Sequence, residues 1–553
     1  MNTHLIICPL CNDAVDRLVY RFHYDSEQHV IDKIKASHPA WTEQDGLCSR
    51  CVDYYHTEII LEQRILPEVG PHFPIKSADD FNIIPTGLRM DANPRYTGKG
   101  VTICFIDSGF YPHPDLTATK NRIKALIDCT NSGIAAPAAE NDEHAWHGTM
   151  TTVVCAGDGY AGKGLYKGIA CDAELVLLKV QDEQGRITTD YLCRALQWVL
   201  QHHGVYNIKV VNLSVAGDET VSYKESRVDL LAEQLINEGI TVVAAVGNDE
   251  HGTIKPPANA LQVIAVGGID DNNKLDKQPA TAYHSTFGAT VDNLQKPELV
   301  APAVWIAAPV LPGTKVQEEA AILYRLLEMP GESLYDELAQ HSSKINLDNA
   351  VYSANDVTFI KESIKQRIRA AKYISPHYMH VDGTSFAAPI VSAVIAQLLE
   401  VNPLLTPAMI REVLFGTAKR MEGIDSVRQG FGVVRPRQAL LKVLKKEIAE
   451  KQQPSPRVNR ENNTIEFFLQ QNCASQVSLA GSFNNWTPGV LLMQPGAEGF
   501  WKLEIPMLPG GKYHYKFFID ELHWKEDVGN PFREPDGFGG FNSLLMITNE
   551  AIN

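Results

Sequence analysis

Asp107, His147 and Ser385 stand at three loop junctions of a 553-residue chain, and together they hold the groups that an acyl-transfer reaction needs. Asp107 ends the apolar run Val101-Thr102-Ile103-Cys104-Phe105-Ile106 and is followed by Ser108-Gly109. In open parallel sheets, ligand chemistry gathers beyond such carboxyl ends of strands. His147-Gly148-Thr149 opens one apolar helical segment, and Gly383-Thr384-Ser385-Phe386-Ala387-Ala388-Pro389 opens another. A serine hydroxyl is a weak nucleophile at neutral pH, so an imidazole must take its proton and a carboxylate must orient that imidazole. Taken singly, a serine at a helix start is an ordinary N-cap. His144 is a rival base, but it lacks the following Gly-Thr and reads as a surface loop residue.

A second chemistry lies near the N-terminus. Cys8-Pro9-Leu10-Cys11 and Cys48-Ser49-Arg50-Cys51 are two C-x-x-C knuckles, and a tetrahedral Zn²⁺ takes two thiolates from each of such a pair. The intervening segment is longer than the usual pattern, so a long insert is required. Structural zinc is the expected cofactor and labile disulfides are the alternative; His23, His29 and His56 are poorer ligand candidates. Gly157-Asp158-Gly159-Tyr160-Ala161-Gly162-Lys163-Gly164 imitates a nucleotide loop, but it follows a helix and has Gly164 where a P-loop has Ser or Thr. It reads as a flexible loop, and no nucleotide is expected.

The apolar pattern supplies the elements that must position these residues. Val101–Ile106, Leu175–Val180, Lys209–Leu213, Ile240–Val246 and Val263–Val266 read as buried strands. Thr188–His203, Tyr223–Glu238 and Ala387–Glu400 read as helices. Buried strands alternating with helices imply a mostly parallel sheet covered on both faces, a three-layer α/β domain. This domain is placed at residues 85–445, after a module at 1–75 that ends in a Pro-spaced stretch. A polar, Pro-containing linker is placed at 446–460. Short alternating strands with Gly, Pro and Asn turns at 461–553 read as an Ig-like β-sandwich. The chain is therefore multidomain, as its length also implies.

Net charge is −16, from 50 basic and 66 acidic residues, which argues against a general nucleic-acid partner. No run reads as a membrane span, and the N-terminus lacks the basic and apolar regions of a secretory signal. The expected setting is the cytoplasm, with reduced thiols.

With these motifs in view, residues 85–445 resemble the subtilisin-like serine peptidases, the subtilase family S8. The resemblance rests on Asp107-Ser108-Gly109, His147-Gly148-Thr149 and Gly383-Thr384-Ser385-Phe386-Ala387-Ala388-Pro389, in the Asp, His, Ser order of subtilisin, and on Val242-Val243-Ala244-Ala245-Val246-Gly247-Asn248. It implies that Asp107, His147 and Ser385 form the catalytic triad and that Asn248 supplies the oxyanion hole. Val211-Asn212-Leu213-Ser214-Val215-Ala216-Gly217 resembles the family strand that pairs with extended substrate, making Ser214, Val215 and Ala216 substrate-binding candidates. Departures are Ala216 where Gly is common, Met150 where His is usual, and an extra helical stretch at 311–377. That insertion has apolar pairs at Leu323/Leu327, Leu334/Leu338 and Ile360/Ile364, and reads either as an inert surface insertion or as a lid or partner-binding element. No inhibitory propeptide of the secreted members is recognisable. Calcium is frequent in the family, but no ligand cluster is clear enough to assign.

The flanking modules carry resemblances too. The paired knuckles resemble a zinc ribbon, with Cys8, Cys11, Cys48 and Cys51 as ligands. Leu479-Ala480-Gly481-Ser482-Phe483-Asn484-Asn485-Trp486 and Tyr513-His514-Tyr515-Lys516-Phe517-Phe518-Ile519-Asp520 resemble the glycogen-binding module of AMP-activated kinase β subunits, carbohydrate-binding module 48. That implies glucan contact by Trp486, Lys516, Trp524 and Asn542; a spacer or docking role, with the tryptophans in the core, is the alternative. The leading expectation is an intracellular serine endopeptidase acting on protein or peptide and targeted to glycogen or another α-glucan. The rivals are a catalytically degenerate scaffold and a glycogen-associated adaptor.

Overall fold

The computed structural model describes residues 6–11, 14–20, 24–39, 41–62, 83–130, 144–275, 280–445, 455–459, 462–471, 474–496, 500–527, 530, 533–537 and 540–547. The chain divides into two compact units, Met1–Leu444 and Lys445–Asn553.

The first unit is built on an eight-stranded sheet. Its strands are β1 (Thr102–Asp107), β2 (Ile123–Asp128), β3 (Glu174–Lys179), β4 (Ile208–Leu213), β5 (Thr241–Ala245), β6 (Ile264–Asp270), β7 (Thr281–Ala282) and β8 (Leu299–Pro302). Seven run parallel in the order β8-β6-β5-β4-β1-β3-β2, and β7 pairs antiparallel to β6. The helices of interest are α1 (Ala145–Ala156), α2 (Thr189–Tyr206), α3 (Arg227–Asn237), α4 (Thr384–Val401) and α5 (Pro436–Leu444). The expected strands are present with boundaries shifted by at most four residues, but the segment expected to be helical from Tyr223 starts at Arg227, where Ser226 caps it. β2 escaped the sequence reading because its first four residues are half-exposed or exposed, so it has no apolar run.

Side-chain alternation along β1 sorts the two covering layers. Ile103 and Phe105 join the core under α1 and α4, whereas Cys104 and Ile106 join the core under α2 and α3. Asp107 follows the parity of Phe105, so its carboxylate faces the α1/α4 layer. Register does the rest: Ile106 pairs with Leu213 and Leu213 with Ala244, so β1, β4 and β5 end almost level.

α4 is buried along nearly its whole length. Its length and hydropathy alone would suit a membrane span, yet 83% of it is covered inside this unit. A helix so buried must satisfy its ends from the protein. At its C-terminal end, Gln397 Nε2 donates to the carbonyls of Asn93 (2.9 Å) and Tyr96 (2.5 Å). Glu400 Oε2 accepts the backbone N–H groups of Thr97, Gly98 and Lys99 at 2.7, 2.7 and 3.2 Å.

The N-terminal residues belong to this unit. Helices Tyr24–Ser37 and Ser49–Glu62 enclose a small core of Cys8, Val30, Ile31, Ile34, Trp41, Leu47 and neighbours. The second helix packs on α5, and Arg50 donates to the Val443 carbonyl at 2.7 Å, near that helix's C-terminus. Asp53 pairs with Arg95 and accepts the Tyr96 hydroxyl at 2.7 Å, reaching the same 93–99 loop that α4 holds.

The stretch 311–377 has its own core. Helices Lys315–Glu328, Gly331–Gln340 and Val357–Ala370 bury Leu323, Leu326, Leu334, Leu338, Ile360 and Ile364, with Leu327 half-buried beside them. It is rooted in a three-stranded antiparallel sheet ordered Ile306–Pro309, Tyr378–Val381, Tyr373–Ser375. Glu319 ties the bundle together, accepting two bonds from Arg367 at 2.8 Å each and one from the Tyr373 hydroxyl at 2.8 Å.

The second unit is all antiparallel: a four-stranded and a six-stranded sheet enclose a core with Ile465, Phe467, Trp501, Tyr515 and Phe517. One boundary needs correction. Arg457–Asn459, placed in the linker, is an edge strand paired with Thr464–Glu466, because Val458 reaches the sandwich core. Residues 446–454 and 63–82 lie outside the described residues, and so does the module boundary placed at residue 75.

Glu400→Ala removes an acceptor from three backbone donors. It is expected to destabilise the first unit by about 2–4 kcal/mol. Glu400→Gln should cost less than half of that, read as a fall in urea midpoint at unchanged slope.

Candidate active site

The parity of β1 delivers Asp107, at 0% exposure, to the layer that carries α1 and α4. A carboxylate so buried requires donors. It has them in His147 Nδ1 at 2.6 Å and the Ser108 N–H at 2.7 Å, with the Thr151 hydroxyl 3.0 Å from its second oxygen. Gly148 permits this approach: a Cβ there would lie 2.3 Å from the Gly109 carbonyl oxygen and 3.0 Å from the Asp107 Cβ. Burial acts to lower the His147 pKa, but the charge and hydrogen bond of Asp107 outweigh it, so the imidazole is more basic than usual. The ring lies between Trp146, edge-on at 5.3 Å, and Phe386 at 5.9 Å. His144 stands at the N-cap of α1, where its carbonyl accepts the Ser108 hydroxyl at 2.9 Å.

Ser385 is the second residue of α4, partly exposed, at the end of the helix that α1 packs against. Gly383, two residues before it, has φ +141°, a backbone region that glycine tolerates and other residues rarely adopt. Asn248, beyond the end of β5, is oriented by its neighbours: its Oδ1 accepts the Thr384 N–H at 2.9 Å and hydroxyl at 3.0 Å. Its Nδ2 is thereby turned away from Thr384 as a donor on an exposed side chain. The Ser385 hydroxyl donates to the Ser214 carbonyl at 3.3 Å.

Ser214 follows directly on β4, level with Asp107. Val215 and Ala216 continue the strand past its last ladder partner, half-buried and exposed respectively, and are not paired in any sheet among the described residues. The sequence reading missed Thr151, Asn212 and Ser392. Thr151 lies one turn after His147 on α1, a spacing that puts it beneath the imidazole's partner. Asn212 bonds Ser214 and Ser392, but nothing in the sequence pairs residue 212 with 392. Met150, at the departure from the family pattern, is buried in the core and packs.

Cys8, Cys11, Cys48 and Cys51 converge, with all four Sγ atoms within 4.8 Å of one another. Cys8–Cys51 and Cys11–Cys48 separations are 3.9 and 3.7 Å. Four sulfurs at about 2.3 Å from a central Zn²⁺ in tetrahedral array would stand about 3.8 Å apart, so the donor set fits that ion. Both distances are far beyond a covalent S–S bond. Hydrogen bonding from Cys11 holds the Cys48 thiol below its ordinary value. His29 and His56 stack edge-to-face at 5.8 Å and are not in the cluster; His23 lies outside the described residues.

In the second unit, Trp486 and Trp524 meet at 6.1 Å, and Trp524 packs on Phe518 at 4.7 Å. Trp524 is 45% exposed, and the core position belongs to Trp501. Lys516 and Phe518 share the outward parity of their strand, opposite core residues Tyr515 and Phe517. The Lys516 ammonium is held by Asp536 at 2.5 Å, a partner the sequence did not announce. Asn542 is half-buried on the strand Phe541–Ile547.

Residues 98–432 match the subtilase family model, and residues 465–553 match the glycogen recognition site of AMP-activated protein kinase. Similar proteins include serine protease AprX of Bacillus subtilis (strain 168), 28% identical over 347 residues, covering 61% of this chain and 65% of that one. Membrane-bound transcription factor site-1 protease of Rattus norvegicus is 25% identical over 344 residues, covering 61% and 24%. The match thus spans less than two thirds of either relative. Subtilisin Savinase of Lederbergia lenta is 29% identical over 227 residues, covering 40% and 72%. Among solved structures, the S41 psychrophilic protease and Sphericase align with TM-scores of 0.43, at 19% and 20% identity, each over 61% of this chain and 92% of theirs. With the family model matched across more than half of its length, the chain belongs to the subtilase family.

Proposed function

We propose that this protein is a serine endopeptidase. The observation that carries the reading is the buried Asp107–His147 hydrogen bond on the sheet face that also receives the Ser385 helix. In the reaction, Ser385 Oγ attacks the substrate carbonyl carbon while its proton passes to His147 Nε2. Asp107 stabilises the imidazolium that results. The oxyanion accepts from Asn248 Nδ2 and the Ser385 N–H, an unsatisfied donor at a helix start. Collapse of the intermediate expels the amine, which takes the proton from His147, and water then hydrolyses the acyl ester by the same route. The resting Ser385 hydroxyl must leave the Ser214 carbonyl and turn to His147, an adjustment common when no substrate is bound. Val215 and Ala216 offer unpaired backbone for an extended substrate, so protein or peptide is the substrate class.

A fluorophosphonate probe should label Ser385 alone, and Ser385→Ala should abolish both labelling and peptide cleavage. Asn248→Ala should lower kcat about 10²–10³-fold. Only neutral His147 can accept a proton, so activity is lost as pH falls through its pKa. The acid limb of kcat/KM should therefore lie above pH 6.5, the ordinary histidine value, and move down in Asp107→Asn. Label on another serine, or cleavage by Ser385→Ala, would refute the assignment.

The four-cysteine cluster is read as a structural zinc site, supported by the sulfur spacing. A closed Cys₄ site supplies folding energy and no reactive position. Such a site suits a reducing compartment, here the cytoplasm. Metal analysis under reducing conditions should find about one zinc per chain, lost when Cys8 and Cys11 are both replaced by Ser. No zinc in the wild type sinks the site.

The C-terminal unit is read as an α-glucan-binding module, supported by the Trp486–Trp524 pair, half-buried and exposed respectively, whose rings can stack on sugar faces. Trp486→Ala with Trp524→Ala should abolish co-sedimentation with glycogen while leaving peptide cleavage unchanged. Equal sedimentation of wild type and variant would make the module a spacer.

A further inference from the structure

Pro389 lies inside α4, four residues after Ser385. A helical carbonyl normally accepts the N–H four residues on, and proline has none. The Ser385 carbonyl is therefore orphaned by its own helix. It is satisfied from outside, by the Ser214 hydroxyl at 2.9 Å.

That hydroxyl is not free to turn. Asn212 Nδ2 donates to Ser214 Oγ at 3.1 Å, and Ser392 Oγ donates to Asn212 Oδ1 at 3.0 Å. Asn212 and Ser392 are wholly buried and Ser214 is 7% exposed, so no water competes for these bonds. All three donors point the same way: Ser392 to Asn212, Asn212 to Ser214, Ser214 to the Ser385 carbonyl. Reversing the Asn212 amide would turn the Ser214 proton back toward Asn212 and leave the Ser385 carbonyl bare. Ser392 is seven residues after Ser385, two turns along the same face of α4, so the relay leaves the helix at one point and returns at another.

We propose that Asn212, Ser392 and the Ser214 hydroxyl form a one-way relay that positions the nucleophile's peptide against the end of β4, compensating for the donor that Pro389 deletes. These are positioning residues, and none of their side chains touches the reacting atoms. The inference rests on the peptidase reading above. Its content is that the substrate-pairing strand and the nucleophile move as one body because a backbone carbonyl is deliberately left to a side chain.

The test uses the full chain, with fluorophosphonate labelling rate, kcat, KM and melting temperature as readouts. Ser214→Ala should slow labelling and lower kcat about tenfold, the worth of one hydrogen bond, with KM changed less than about twofold. Pro389→Ala restores an N–H to the helix at the orphaned carbonyl. Added to Ser214→Ala, it should bring labelling back to within about threefold of wild type. Additive losses in the double variant, or wild-type labelling by Ser214→Ala, overturn the relay. Should Ser214→Ala not fold, Ser392→Ala and Ser392→Thr decide. Slower labelling by the first and recovery by the second, at similar melting temperatures, support it; equal rates overturn it. A wild type that takes no label withdraws the peptidase reading and the relay with it, whereas a labelled wild type with unaffected variants withdraws the relay alone.

Discussion

A single apolar helix, α4, runs through the middle of the first unit, and its burial is the constraint that orders everything around it. Water reaches almost none of it, so the polar groups that it buries must be met by protein. At the N-terminal end this brings Asn248 onto Thr384 and the end of β4 onto Ser385. At the C-terminal end it brings the 93–99 loop onto Gln397 and Glu400. The chemistry at one end and the anchorage at the other are consequences of one dielectric condition.

Electrostatics sharpens the same arrangement. Asp107 is a carboxyl group at 0% exposure, and its donors are supplied from α1 through His147 and Thr151. The carboxylate makes His147 a better base, and the imidazole makes the buried carboxylate tolerable. Gly148 lets the two approach, because any Cβ there would collide with the Gly109 carbonyl beside Asp107.

What could be read from the chain alone follows from how local each signal is. Asp107, His147, Asn248 and Ser385 are legible because each sits in a short run whose glycine or apolar neighbours are its own structural requirement. The insertion's apolar pairs are legible because helical spacing is local, and five of those six side chains are fully buried. Asn212 and Ser392 are illegible because their meaning is mutual and 180 residues apart. Lys516 illustrates the opposite error: its position on the outward face is local information, while its bond to Asp536 is not. β2 was missed because a half-exposed strand has no continuous apolar run to announce it.

The docking of the cysteine-bearing segment has a consequence in time. Arg50 meets Val443 across 393 residues of chain. At ribosomal speeds of about 5–20 residues per second, roughly 20–80 seconds separate the synthesis of these two contacts. During that interval the N-terminal helices exist without the helix they pack upon, and α4 itself is made only near the end. The long-range pairing that joins them belongs to the slow class of folding events. Ser385 and the α5 surface that receives the N-terminal helices are therefore both made late, after most of the first unit has left the ribosome.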